Sequence, residues 1–505
     1  MGFLFSAIVL YIIAAVVQAY LKTGLVRYFF LAIVSFVAGI FVAVPSFNAV
    51  RSFSSNYINF PVFNLNFTFV LDNIAAPVLL FTAISVFLTI INCNNFWSKD
   101  DKLKNGLMLF SIASGFAVMT SVNAVLLLIY LESMIFALMF SFQAGKKYFI
   151  FSQVGIIFLV SAFIKLFLSA QTIEFGRLAG QIEPVSFSLI FIGLAVLTGV
   201  LKKAAGAYKG VDFPSVIFVG FILPIFVYVL IRFLFLWQTP ETFVSYLILV
   251  AGIYIVYCSV KQSLFSVWDF REFVLNISYK NVGFILISMG ISMFGMILKN
   301  LPVTACAMFA LYFALFNQIM AFPALFISVR NKPWDIGYHV ISESAIYKFL
   351  PQEKLYTGLF VLSVIALPPF TAFAAFSLFA SSVFAGVGIN NFVLAALFSV
   401  TLVFMFVMEA LTVKPFSGAF LHYNNYNKSF KHSLLISGFI IILVLAGLFP
   451  HIAVEFFVAP VFIFCGANLY VPQVMLNNLS IINISLVLMF SAFYLLRCLF
   501  ARRSK

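Results

Sequence analysis

The chain has 505 residues, of which 64% are hydrophobic, 18% aromatic and only 9% charged, and its mean hydropathy is +1.15. A soluble chain carries about 25% charge to meet water, so a water-soluble globular protein is excluded, and at about 20 residues per span the apolar content supplies about 15 membrane helices. The net charge of +14 then points to cytoplasmic loops rather than to nucleic acid, because Lys and Arg collect on that side of a membrane.

Apolar runs broken by charge or by Pro and Gly predict spans at 3–20, 27–45, 72–93, 105–121, 122–142, 149–170, 186–203, 213–237, 241–260, 280–298, 303–329, 356–385, 391–413, 434–459 and 472–498. The fourth and fifth are divided only by Thr120-Ser121-Val122-Asn123. The start, Met1-Gly2-Phe3-Leu4, has no basic leader, so the first helix is expected to be retained. No stretch reads as a soluble domain. The longest polar connections are 46–71, 261–279 and 330–355, the second being a candidate surface helix.

Loop charge orients the chain. With the N-terminus outside, 24 of the 29 Lys and Arg fall on the cytoplasmic side; the outer loops hold only Arg51, Arg177 and Lys299, while Lys165 and Arg232 lie inside spans. An odd number of spans with the C-terminus inside follows. Cys93, Cys258, Cys306, Cys465 and Cys498 are scattered without a CxxC pair, and the four histidines fall in the last third. No metal site is expected, nor any cofactor, catalytic group or redox site of the chain's own.

Ionisable groups in hydrocarbon cost a few kcal/mol each, roughly, and need a reason to be there. Glu132 sits mid-span with no charged neighbour in sequence; it is either a proton-carrying or charge-pairing carboxylate or a hydrogen-bonded structural one. Lys165 lies near the outer end of its span, within snorkelling reach of the interface. Lys202 and Lys203 precede the Gly-containing stretch to Lys209, which reads either as a broken helix at membrane depth or as a cytoplasmic lysine cluster. Arg232 falls late in a span and is expected to pair or to snorkel. Lys280 and Lys414 complete the candidates, at the edges of the tenth and thirteenth spans. Glu409 and Lys414, five apart, do not share a helix face as an i,i+4 pair would. Pro368-Pro369 interrupts the run 356–385, and two prolines remove two helix donors, so a discontinuous helix is expected there.

These pieces resemble the antiporter-like membrane subunits shared by respiratory complex I, membrane-bound nickel-iron hydrogenases of the formate hydrogenlyase type and multisubunit cation/proton antiporters. Leu71-Asp72-Asn73 is similar to the family's Leu-Asp-Gly at the third helix, and Glu132 to its fifth-helix Glu. Lys202-Lys203-Ala204-Ala205-Gly206 resembles the Lys-Ala-Gly at the seventh-helix break, and Tyr228 to Phe233 the Tyr-Gly-x-x-Arg-Phe ending the eighth. The stretch Trp268 to Gly283, with Lys280-Asn281 where the family has Glu-Asn, is most like the hydrogenase branch. Asn317-Gln318 looks like the eleventh-helix Asn-His, Leu367-Pro368-Pro369 like the Leu-Pro-Pro of the twelfth, and Val413-Lys414-Pro415-Phe416 like the close of the thirteenth.

The resemblance implies an all-α polytopic membrane protein of about 15 helices with two inverted five-helix repeats, broken near Lys203 and Pro368. Residues 1–104 would hold helices 1–3, 105–240 and 241–420 the two repeats, and 421–505 the C-terminal helices. It also implies partner membrane subunits, protons or monovalent cations as cargo, and a bacterial cytoplasmic membrane. The departures matter as much: the family's polar eighth-helix position falls on Val219 or Pro224, the eleventh-helix lysine on Phe322, and the twelfth-helix Lys or Glu on Phe376. Three functions remain open: translocation with Glu132 and Lys203 interacting, a non-conducting structural subunit, and the membrane partner of an inorganic-carbon uptake pair.

Overall fold

Hydrocarbon offers backbone N–H and C=O groups no partners but each other, so apolar runs of this length fold as helices. The computed structural model describes residues 2–21, 24–52, 56–62, 65–92, 102–142, 146–178, 180–207, 213–237, 240–265, 270–329, 351–387, 392–417, 433–465 and 480–485. The chain opens with α1 (Gly2–Tyr20) and α2 (Gly24–Ser52), then an antiparallel hairpin of β1 (Asn56–Val62) and β2 (Leu65–Leu71). There follow α3 (Ala75–Asn92), α4 (Lys102–Met119), α5 (Ala124–Ser141), α6 (Lys146–Ala170) and, after a single turn Phe175–Leu178, α7 (Pro184–Ala207). Helix α8 is built of Phe213–Ile217, a π-turn Phe218–Ile222 and Leu223–Trp237. After it come α9 (Thr242–Phe265), α10 (Phe270–Ile297) and α11 (Leu301–Val329). The chain continues through α12 (Pro351–Val364), α13 (Thr371–Val387), α14 (Phe392–Ser417), α15 (Ser433–Leu448) and α16 (Pro450–Cys465).

Among the described residues eleven helices are long and apolar enough to cross a membrane, namely α1–α3, α5–α11 and α14; α15 and α16, bent by 93°, form a twelfth candidate. Three other expected spans fall on α4, on α12 with α13, and on 472–498, of which only 480–485 is described.

Helices α8 and α11 are apolar on every side and buried along most of their length, which places them at the centre. Sequence neighbours pack as pairs around them, α4 on α5, α6 on α7 and α9 on α10. In the last pair Gly252 meets the Gly283 carbonyl so closely that a Cβ would sit 2.8 Å from it. Small residues let membrane helices approach to this range.

Three expectations change. The connection 46–71 is not loop alone, because α2 runs on to Ser52 and the hairpin follows. The 261–279 segment is no surface helix: α9 extends to Phe265 and α10 begins at Phe270, which carries Lys280 into the membrane-spanning part of α10. No break falls at Lys203, since α7 continues through both lysines to Ala207; the rest of that stretch, 208–212, lies outside the described residues. The α4–α5 division does fall where expected, with Asn123 capping α5 through its Oδ1, which accepts from the Leu126 N–H at 2.8 Å.

Two helix irregularities meet at the centre. Gly220, in the π-turn of α8, lies so close to Pro323 inside α11 that no Cβ fits between them. Each irregularity frees a carbonyl from regular helix pairing. Val219 O accepts from Gln318 Nε2 at 3.0 Å, and Ile319 O from Ser85 Oγ at 2.7 Å.

Candidate functional site

The double proline breaks a helix as the sequence predicts: α12 stops at Val364, Ala366 turns the chain with φ 53°, the Pro368–Pro369 bond is cis, and α13 starts at Thr371. A break inside the bundle must be held by side chains. Ser363 and Thr371, one on each side of it, both donate to Asn317 Oδ1 of α11, at 2.9 and 3.0 Å. Lys280 of α10 reaches the same break, its Nζ donating to Val364 O at 3.4 Å.

The same ammonium is clamped by Glu409 of α14, at 2.8 Å to Oε1 and 2.7 Å to Oε2. Lys280 is 2% exposed and the Glu409 side chain 16%. An ammonium has three protons, and the carboxylate and Val364 O together take all three. Next to Lys280, Asn281 Nδ2 donates to Ala314 O at 3.0 Å and to Gln318 Oε1 at 2.9 Å. Through Gln318 the polar chain runs from α10 across α11 to the π-turn of α8.

One turn from the ion pair on both of its helices the surroundings are aromatic. Phe284 follows Lys280 by four residues and Phe406 precedes Glu409 by three. The Phe376 ring lies 6.4 Å from Phe284, 6.1 Å from Phe379 and 4.8 Å from Phe406, and Phe284 lies 5.2 Å from Phe379. Phe322, the other expected lysine position, is fully buried.

The remaining candidates do not converge there. Glu132 accepts a hydrogen bond at 2.8 Å from Gln153 Nε2 of α6, and its Oε2 is buried with no hydrogen-bond partner among the described residues. Lys202 instead donates to Gln262 Oε1 at 3.0 Å and lies 4.6 Å above the Tyr279 ring, while Lys203 is exposed. Among the described residues no ion pair joins Glu132 to either lysine. The expected approach of Glu132 to these lysines is not what the contacts show: Glu132 is bonded to Gln153 of α6 and Lys202 to Gln262 of α9. Lys165 pairs with Glu183 at 3.2 Å, both partly exposed, as its position near a span end suggested. Arg232 is buried, bonded to Asp72 Oδ2 at 3.2 Å, to Met119 O at 3.1 Å and to the Tyr228 hydroxyl at 2.9 Å. Lys414 lies in α14, its side chain outside the described set.

No protein family's sequence profile matches the chain, and no curated protein matches it by sequence. Solved structures do. A chain of the membrane-bound sulfane sulfur reductase, an archaeal respiratory membrane complex, superposes with TM-score 0.73 at 16% identity, over 92% of this chain and 97% of that one. A chain of the Mrp complex from Dietzia sp. DQ12-45-1b superposes with TM-score 0.70 at 13% identity, over 96% of this chain. This chain spans only 56% of the length of that one. The chain shares the fold of these two membrane-complex chains.

Within this fold, sequence reasoning missed the partners rather than the positions. In the sequence Glu409 has no i,i+4 partner on its own helix, and Asp72 stands only as part of a motif. The signal available for Glu409 was its isolation: a carboxylate late in an apolar span calls for a cation from another helix.

Proposed function

We propose that the chain is the antiporter-like integral membrane subunit of a larger proton- or cation-translocating oxidoreductase complex, of the membrane-bound hydrogenase or complex I type, and that alone it completes no transmembrane path. The two inverted repeats, the bacterial cytoplasmic membrane and the outside N-terminus belong to this reading. The observation that carries it is the aromatic layer of Phe284, Phe376, Phe379 and Phe406 next to the clamped Lys280–Glu409 pair. Such side chains give water no hydrogen-bond partners, and an apolar space of this kind stays dry. A lysine whose three protons are all bonded inside the protein is a poor relay, while its links to the α12 break suit a scaffold. Redox chemistry belongs to partner subunits.

The test is reconstitution of the purified complex in vesicles, comparing proton uptake for the wild type and Glu132→Gln. Pumping per assembled complex is expected to be retained. Intact assembly with lost pumping would restore a working path through Glu132 and overturn the reading.

A further inference from the structure

At the membrane face where α7 and α9 end and α10 begins, a cavity of ≈ 370 Å³ lies between α9 and α10, lined by Cys258, Lys261, Gln262, Phe265 and Glu272. Lys261 and Gln262 are both exposed. Gln262 is oriented by its neighbour: its Oε1 accepts from Lys202 Nζ, which aims the amide nitrogen, a donor, away from that lysine. Lys202 is itself held over the Tyr279 ring, and the Tyr279 hydroxyl donates to Thr198 O at 2.5 Å. The cavity therefore offers an ammonium and an amide donor braced by a second ammonium, with one carboxylate, Glu272, also in its lining.

The adjoining surface is lipophilic. Val250, Tyr254, Tyr257, Lys261 and Phe265 follow one another at steps of three or four residues, which puts them on one face of α9, and all five are exposed. Lys261 Nζ lies 6.0 Å from the Tyr257 ring centre. The stripe runs from hydrocarbon depth up to the cavity mouth, apolar and aromatic first and then charged at Lys261, with Phe265 one turn beyond in the cavity lining. That order of chemistry matches a phospholipid from acyl chain to phosphate. A free phosphate has no use for the stripe.

We propose that this cleft binds one anionic phospholipid, its phosphate held by Lys261 and the Gln262 amide, one acyl chain laid along Tyr257, Tyr254 and Val250, and Glu272 accepting from headgroup hydroxyls. Phosphatidylglycerol has this chemistry: a single negative charge and two hydroxyl donors. The site is independent of whether the chain conducts.

Native mass spectrometry of the full chain in detergent, titrated with phosphatidylglycerol or phosphatidylcholine, tests it. Phosphatidylglycerol is expected to bind more tightly, Lys261→Gln to weaken it roughly fivefold, as loss of one interfacial charge does, and Tyr257→Ala to weaken it further. Lys261→Arg should preserve binding, and Lys299→Gln, at the other membrane face, should leave it unchanged. Equal binding of the two lipids, indifference to Lys261→Gln in a variant that unfolds at the wild-type temperature, or displacement by glycerol phosphate at equal concentration would each overturn the proposal. So would protection of Lys261 from acetylation by a neighbouring protein subunit in delipidated complex.

Discussion

Glu132 and Glu409 are the same residue in similar settings, Leu131-Glu132-Ser133 and Met408-Glu409-Ala410, each inside an apolar helix. Their fates differ because of one distant side chain. Glu409 meets a buried ammonium from α10 and becomes part of the wall of a broken helix. Glu132 meets a neutral amide from α6, and one of its oxygens is left without a hydrogen-bond partner among the described residues. What a membrane carboxylate does is thus decided by the helix that packs on it, and the first site is adaptable where the second is locked.

Breaking the lock should have the largest effect. Lys280→Met strands Glu409 and is expected to cost about 3–5 kcal/mol, read as a fall in the thermal unfolding temperature in detergent. Lys280→Met with Glu409→Leu should recover most of the loss, and a double variant as unstable as the single one would deny the pair its role. Asp72 offers a comparison, a carboxylate with a cation outside the α12 break. Asp72→Asn weakens its bond to Arg232 and should cost about 2 kcal/mol, seen as faster proteolysis.

Glu132→Gln leaves the Gln153 amide an oxygen to bond, so its stability should stay within about 1 kcal/mol of the wild type; a loss near that of Lys280→Met would erase the contrast between the two sites. Smallest of all, Lys165→Gln removes a partly exposed pair with Glu183 and should shift stability by no more than about 0.5 kcal/mol.

Runs of apolar residues announced the helices, and Pro368-Pro369 announced the break, because both signals are local. The position of Lys280 was hidden by Asp269, Arg271, Glu272, Asn276 and Ser278, whose polarity moved the apparent start of α10 ten residues too late. Lys280 and Asn281, buried against α11 and its neighbours, are satisfied by Glu409, Val364 O, Ala314 O and Gln318. None of these is visible from residue 280 itself. The hairpin did carry a local signal, since Phe63-Asn64-Leu65-Asn66-Phe67-Thr68-Phe69 alternates apolar and polar residues, but its Asn and Pro content reads as a polar connection. Gln153, 21 residues from Glu132, carries no charge to betray the contact.

The π-turn at Phe218–Ile222 has a consequence for the whole length of α8. An α-helix turns by about 100° per residue, and a π-turn takes in one residue more than a regular turn. Everything after Ile222, Tyr228 and Arg232 included, is rotated by about that angle from where a regular helix continued from Phe213 would set it. The extra residue is what aims Arg232 at Met119 and Asp72. Apolar side chains along α8 can be exchanged for one another at modest cost, but its residue count is fixed: a one-residue deletion near Gly220 would leave composition and hydropathy almost untouched and still swing the buried arginine out of phase with its carboxylate.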